Sequence, residues 1–130
     1  MVFRLVLFIF AVGTLVNGVW MLAAPQSWYT DLPGGVADTG PYNGHFIRDL
    51  GVVFVFIASG FVWCAMRPDR SRNVLLVNTL FFSGHAVLHL LDLLTHRLPV
   101  SHWKLDLPLV FLPTVVLIVI LLLSNRLTTK

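Results

Sequence analysis

Glutamate is absent from the 130 residues, and all six carboxylates are aspartates. That excludes a di-iron bundle built from Glu and Glu-x-x-His in its usual form. One cysteine, Cys64, excludes an intrachain disulfide, a CxxC redox pair and a cysteine-ligated iron–sulfur cluster. Charge is scarce as well. Asp, Glu, Lys and Arg make up 12% of the chain, where a soluble domain carries about 25%. With so few charges between long apolar runs, an ordinary soluble globule, a disordered tail and a nucleic-acid binder are all excluded. The net charge of +3 falls mostly between the apolar runs. It therefore acts as a topology signal rather than a polyanion-binding surface.

What fills the chain is hydrocarbon: 57% of residues are hydrophobic and the mean hydropathy is +0.84. A helix that crosses a bilayer needs about 20 mostly apolar residues. Four stretches qualify, 3–24, 46–66, 74–95 and 105–123. The first carries Arg4 ahead of it and Leu22-Ala23-Ala24 behind it, as a signal peptide would. Its apolar run is too long for that and contains Gly13, Asn17 and Gly18, so it is expected to be a retained helix. The expected fold is all-α: one domain over residues 1–130, an integral membrane antiparallel four-helix bundle. Gly13, Gly18, Gly51, Ser59, Gly60, Ser83 and Gly84 let backbones approach. Pro108 and Pro113 are expected to bend the fourth helix.

Lys and Arg counts predict the orientation. Arg4, Arg67, Arg70, Arg72, Arg126 and Lys130 fall on the side of the termini, and Arg48, Arg97 and Lys104 on the other. The positive-inside rule puts both termini in the cytoplasm. The first connection, 25–45, and the turn 96–104 then face outward, in a bacterium toward the periplasm. Trp20, Trp28, Tyr29, Tyr42 and Trp103 lie near that boundary and Trp63 near the inner one, as interfacial aromatics do.

The third span carries the most informative pattern. Asn78, His85, His89, Asp92 and His96 sit at offsets 0, 7, 11, 14 and 18. At 100° per residue they occupy a sector of about 60°. Ionisable groups in hydrocarbon are costly and face the bundle interior, so this stripe is expected to point inward. The second span opens with Asn43-Gly44-His45-Phe46-Ile47-Arg48-Asp49, which puts His45 and Asp49 on one face. At 1.5 Å per residue, Asp49 lies about 6 Å below His45 and Asp92 about 6 Å below His96, so the two aspartates share a depth. Asn17 falls near the level of His89. Asp106 and His102 stand close enough in sequence to the outer rim to join the group.

This set suits a transition metal. His-x-x-x-His presents two imidazoles to one ion, with a carboxylate three residues on, and mixed His/Asp donors suit Cu, Fe or Zn. The expected ligands are His45, Asp49, His85, His89 and Asp92. In a metalloenzyme of redox or hydrolytic type, Asp49 and Asp92 would do acid–base work and Arg48 would orient a carboxylate or an anionic substrate group. The first connection is a lid over the cluster or a loop packed by its aromatics. As a lid it makes Tyr42 and Asn43 cofactor- or substrate-binding residues. Three alternatives stay open. One is a non-enzymatic accessory subunit of a larger membrane complex. Another is a haem held by His45 with His85 or His89. The third is a cofactor-free acid–base enzyme on a lipid-like hydrophobic substrate. A homo-oligomer would widen the narrow interior of four helices. Intramembrane His and Asp also serve simply to hydrogen-bond helices together. His102, near the membrane surface, reads as a solvated loop histidine, Asn78 as a packing residue and Cys64 as a small buried apolar side chain.

The first helix, with Asn17-Gly18-Val19-Trp20 running into Ala24-Pro25, resembles the DoxX-like group of small four-helix bacterial membrane proteins. The stretch Thr39-Gly40-Pro41-Tyr42-Asn43-Gly44-His45-Phe46-Ile47-Arg48-Asp49 is similar to a motif of uncharacterised small bacterial membrane proteins. The DoxX-like resemblance implies a bacterial inner-membrane protein linked to quinone or thiol redox chemistry. It carries over no catalytic residue, and the histidine stripe lies outside it.

Overall fold

The computed structural model describes residues 2–127, with side chains described through residue 124. Lys130 and the side chain of Arg126, both used in the charge count, lie outside that description. The chain is all-α. It runs through α1 (Val2–Ala23), α2 (Pro25–Asp31), α3 (Gly44–Met66), α4 (Arg72–Leu94), α5 (Trp103–Asp106) and α6 (Leu112–Leu127). A π turn, Leu107–Phe111, joins the last two into one span, Val100–Ser124. Among the described residues four segments are thus long and apolar enough to cross a membrane, and the protein is multi-pass.

Sequence chemistry explains where these helices start and bend. Asn43 caps α3, its Oδ1 accepting from the Phe46 N–H at 3.1 Å, which satisfies one of the free donors of a first turn. Pro25 opens α2, a position where its missing N–H costs nothing. Pro108 and Pro113 carry no N–H, so the carbonyls of Lys104 and Leu109 have no α-helical donor. The helix widens there, and the Leu112 N–H donates to the Leu107 carbonyl, five residues back. The expected bend in the fourth span therefore takes the form of a π turn.

The closest packing is between α1 and α3. A Cβ placed on Gly18 would lie 2.9 Å from the Gly51 carbonyl oxygen, and one on Gly51 would lie 3.0 Å from the Gly18 carbonyl oxygen. Only hydrogen fits at either position, so the two glycines set the distance between these helices. At one end of the bundle, Leu7 and Ala11 of α1 meet Ile57, Phe61, Cys64 and Ala65 of α3, with Leu75 of α4 and Leu117 and Ile120 of α6. Cys64 is buried there, as its apolar reading implied. Asn78 is buried too and donates through Nδ2 to the Ile57 carbonyl at 3.1 Å, tying α4 to α3. Gly60 makes room for it, since a Cβ there would meet the Asn78 amide at 2.9 Å.

The other end has a smaller core of Met21, Trp28 and Ile47, with Trp20, Tyr29, Leu32, Val36, Leu50 and Phe54 around it. Here the first connection folds back over the helix ends. Trp28 is buried rather than interfacial, and its indole N–H donates to Asn17 Oδ1 at 2.8 Å. Trp20 donates to Ser27 Oγ, which donates to Asp31 Oδ2 at 2.8 Å. Tyr29 reaches the Gly40 carbonyl at 2.7 Å and stacks edge-on against Tyr42. The Asn17–Trp28 bond thus ties the connection to α1, and Tyr29 ties its two ends together through Gly40 and Tyr42.

Candidate metal centre

Two chain segments bring three ligand-type side chains together at that same end. His89 comes from α4, about 8 Å short of its end at 1.5 Å per residue. His102 and Asp106 come from the start of the fourth span, four residues apart and therefore on one face. Inward-facing positions continue down the span at Val110 and Thr114. In an uninterrupted α-helix, four-residue steps from His102 to Thr114 would drift about 120° around the axis. The wider π turn takes up much of that drift, which keeps His102 and Asp106 on the buried side. A π turn beside a functional cluster is a recurrent arrangement.

Asp106 is the centre of the group. Its Oδ1 lies 2.9 Å from His89 Nδ1 and 3.2 Å from His102 Nδ1. The residue is 1% exposed, and its Oδ2 is buried with no hydrogen-bond partner among the described residues. His102 is 3% exposed. Its second nitrogen, Nε2, faces the Gly35 carbonyl at 3.4 Å and Asp38 Oδ2 at 3.8 Å. The His89 side chain is 17% exposed, which makes it the most open of the three. His85, one turn away on α4, stacks edge-on against His89 with ring centroids 4.6 Å apart. One ligand-type atom from each of His89, His102 and Asp106 lies within 4.8 Å of the others, the spacing at which three donors can share one ion.

The sequence-predicted residues are distributed differently. The stripe on α4 is inward at Asn78 and partly so at His85, His89 and Asp92, and it emerges at His96, which is exposed in a left-handed backbone conformation. Asp92 pairs with Arg97 at 3.6 Å. His45 and Asp49 do share a face and pair at 3.4 Å, but that face is open, with side chains 89% and 64% exposed. Arg48 is exposed. Asn43 is engaged as the α3 cap and Tyr42 against Tyr29. The buried trio therefore includes His89 from the expected set, and brings in His102 and Asp106 rather than His45, Asp49 or Asp92. His102 is not the solvated loop histidine its place near the membrane surface implied, because residues 35–38 cover it. Sequence position let His102 and Asp106 join the group without naming them ligands; the stronger signals were their four-residue spacing and a lone carboxylate between Leu105 and Leu107.

A family model described as a domain of unknown function, DUF4345, matches residues 2–123. The chain belongs to this family. Among curated proteins and solved structures nothing matches the chain. The match spans all four helices of this DUF4345 protein, the trio included, and its description assigns no activity.

Proposed function

We propose that this DUF4345 chain is a metal-binding membrane protein whose ion is held by His89, His102 and Asp106. The observation that carries the reading is the Asp106 carboxylate. An ionised carboxylate at 1% exposure is costly in a low-dielectric interior unless its charge is compensated. Oδ1 has two imidazole neighbours and Oδ2 none among the described residues. A divalent cation between the carboxylate and the two imidazoles would supply the compensation. Two histidines and one carboxylate suit Zn(II), Fe(II) or Cu(II). Three protein ligands with a free position are the pattern of catalytic rather than structural zinc. His85 stands beside His89 as a fourth donor, or as a base next to a bound water. A bare ion fits better than a haem held by His45 with His85 or His89, because the His45 side chain is 89% exposed and paired with Asp49.

We further propose a bacterial inner-membrane location with both termini cytoplasmic. Arg4, Arg67, Arg70 and Arg72 cluster at the end opposite the trio, and the positive-inside rule puts that end in the cytoplasm. The site then opens toward the periplasmic half of the bilayer.

A second reading rests on the same distances. The contacts at 2.9 and 3.2 Å are also hydrogen-bond lengths, so a bare His–Asp–His knot would tie α4 to the fourth span. Equilibrium dialysis of detergent-purified, chelator-stripped protein against Zn(II), Fe(II) under anaerobic conditions and Cu(II) separates the two. One ion bound per chain, and none in Asp106→Ala, supports the metal site. No binding of any of the three leaves the knot.

A further inference from the structure

We infer that residues 35–38 of the first connection form part of the metal centre, with Asp38 acting as the positioning residue for His102. The inference rests on the metal reading above and adds the outer partner of one ligand. A metal-bound histidine donates its other ring N–H to a carboxylate or a backbone carbonyl, which fixes its tautomer and its orientation. His102 has that arrangement. Its Nδ1 faces Asp106 Oδ1 at 3.2 Å, and its Nε2 faces the Gly35 carbonyl at 3.4 Å, with Asp38 Oδ2 just beyond hydrogen-bond length at 3.8 Å. Every neighbour of Nε2 in that set is an acceptor. With an ion bound, the ring would keep its Nε2 proton and present the Nδ1 lone pair to the metal.

The backbone is shaped for this contact. Gly35 has φ +63°, in the left-handed region, and a Cβ there would sit 2.7 Å from His102 Nε2 and 3.1 Å from Leu105 Cδ1. Glycine lets the carbonyl approach a buried imidazole that any side chain would displace. Asp38 follows on the short 3-10 turn Val36–Thr39, held by its own N–H donating to the Gly35 carbonyl at 3.0 Å. The connection is thus more than a cap on the apolar end of the bundle. It carries a carboxylate from the aqueous side to a ligand four residues before Asp106.

The test uses full-length protein in detergent, with Zn(II) affinity measured by competition against a chromophoric chelator and Co(II) visible spectra as the geometry readout. Asp38→Ala is expected to weaken Zn(II) binding about tenfold or more, within the range for lost outer partners of metal ligands, and to shift the Co(II) bands. Asp38→Asn keeps an acceptor oxygen and is expected to restore most of the affinity. Gly35→Ala should weaken binding as well, by pushing the loop off His102. Wild-type affinity and an unchanged Co(II) spectrum in Asp38→Ala would overturn the role of Asp38 while leaving the metal centre standing. A wild-type chain that binds neither Zn(II) nor Co(II) would overturn the metal reading, and this inference with it. A purely structural Asp38 would change thermal stability without moving the Co(II) bands, and that outcome also overturns the proposal.

Discussion

Replacing Asp106 by alanine strands two imidazole donors at once, and the structure sets the size of the effect. His102 has no solvent to turn to at 2% side-chain exposure. Losing its acceptor costs the desolvation of one buried polar group, about 1–3 kcal/mol. His89, at 17%, can swing partly toward water, so its share is smaller, on the order of 0.5–1 kcal/mol by the average for hydrogen bonds between membrane helices. Metal-free Asp106→Ala should therefore lose about 1.5–4 kcal/mol in total. Asp106→Asn keeps an oxygen for both Nδ1–H groups and should lose less than half as much. The assay is reversible unfolding of the chelator-stripped protein in mixed micelles, followed by fluorescence of the four tryptophans. If the alanine variant unfolds with the wild type, Asp106 holds neither imidazole and the geometry described for the trio is wrong. If asparagine costs as much as alanine, charge rather than hydrogen bonding holds the group together.

Further outcomes follow from other contacts. Gly51→Ala forces α1 and α3 apart, because the new Cβ would meet Leu22 Cγ at 2.9 Å and the Gly18 carbonyl at 3.0 Å. The cost should be about 1–3 kcal/mol, read by the same unfolding assay. Gly13→Ala, where a Cβ meets nothing within 4 Å, should be neutral. Asn17→Leu strands the Trp28 indole N–H, and should cost about 1–3 kcal/mol and shift tryptophan emission. The Thr30 and Ser27 hydroxyls hold the Asp31 carboxyl below the usual carboxylate range. A depressed folded pKa gives stability that is present above the unfolded value and lost as pH falls through the folded one. NMR titration of Ser27→Ala should show the Asp31 pKa moving up toward normal. Chelation should lower the melting temperature of metal-loaded wild type. An ion at 100 times its Kd contributes about 2.7 kcal/mol, and chelation should leave Asp106→Ala unmoved.

The four spans were legible because hydropathy over about 20 residues reports directly on the bilayer. The expected third span, 74–95, and the observed α4, Arg72–Leu94, differ by a residue or two at each end. The site was half legible. The stripe on α4 identified His89 and its inward face, since helical period alone places residues on a face. Depth matching of Asp49 with Asp92 fixed height but not direction. At the top of α3, His45 and Asp49 point away from the bundle, because Ile47 and Leu50 take the inward positions. His102 and Asp106 depend on two features without a periodic signature. One is the π turn that keeps both on the buried side, and the other is the folding of residues 35–38 back over His102. Both arise from tertiary packing and from Pro108, so hydrophobic periodicity does not report them.

Whether His89, His102 and Asp106 hold an ion can be read directly. The most direct test is elemental analysis of the protein purified without added metal or chelator, beside His89→Ala and His102→Ala. Wild-type protein is expected to carry close to one first-row transition metal ion per chain and each variant to lose it, with all three proteins folded. A folded wild type that carries no metal, and takes up none from Zn(II), Fe(II) or Cu(II), would contradict the metal reading.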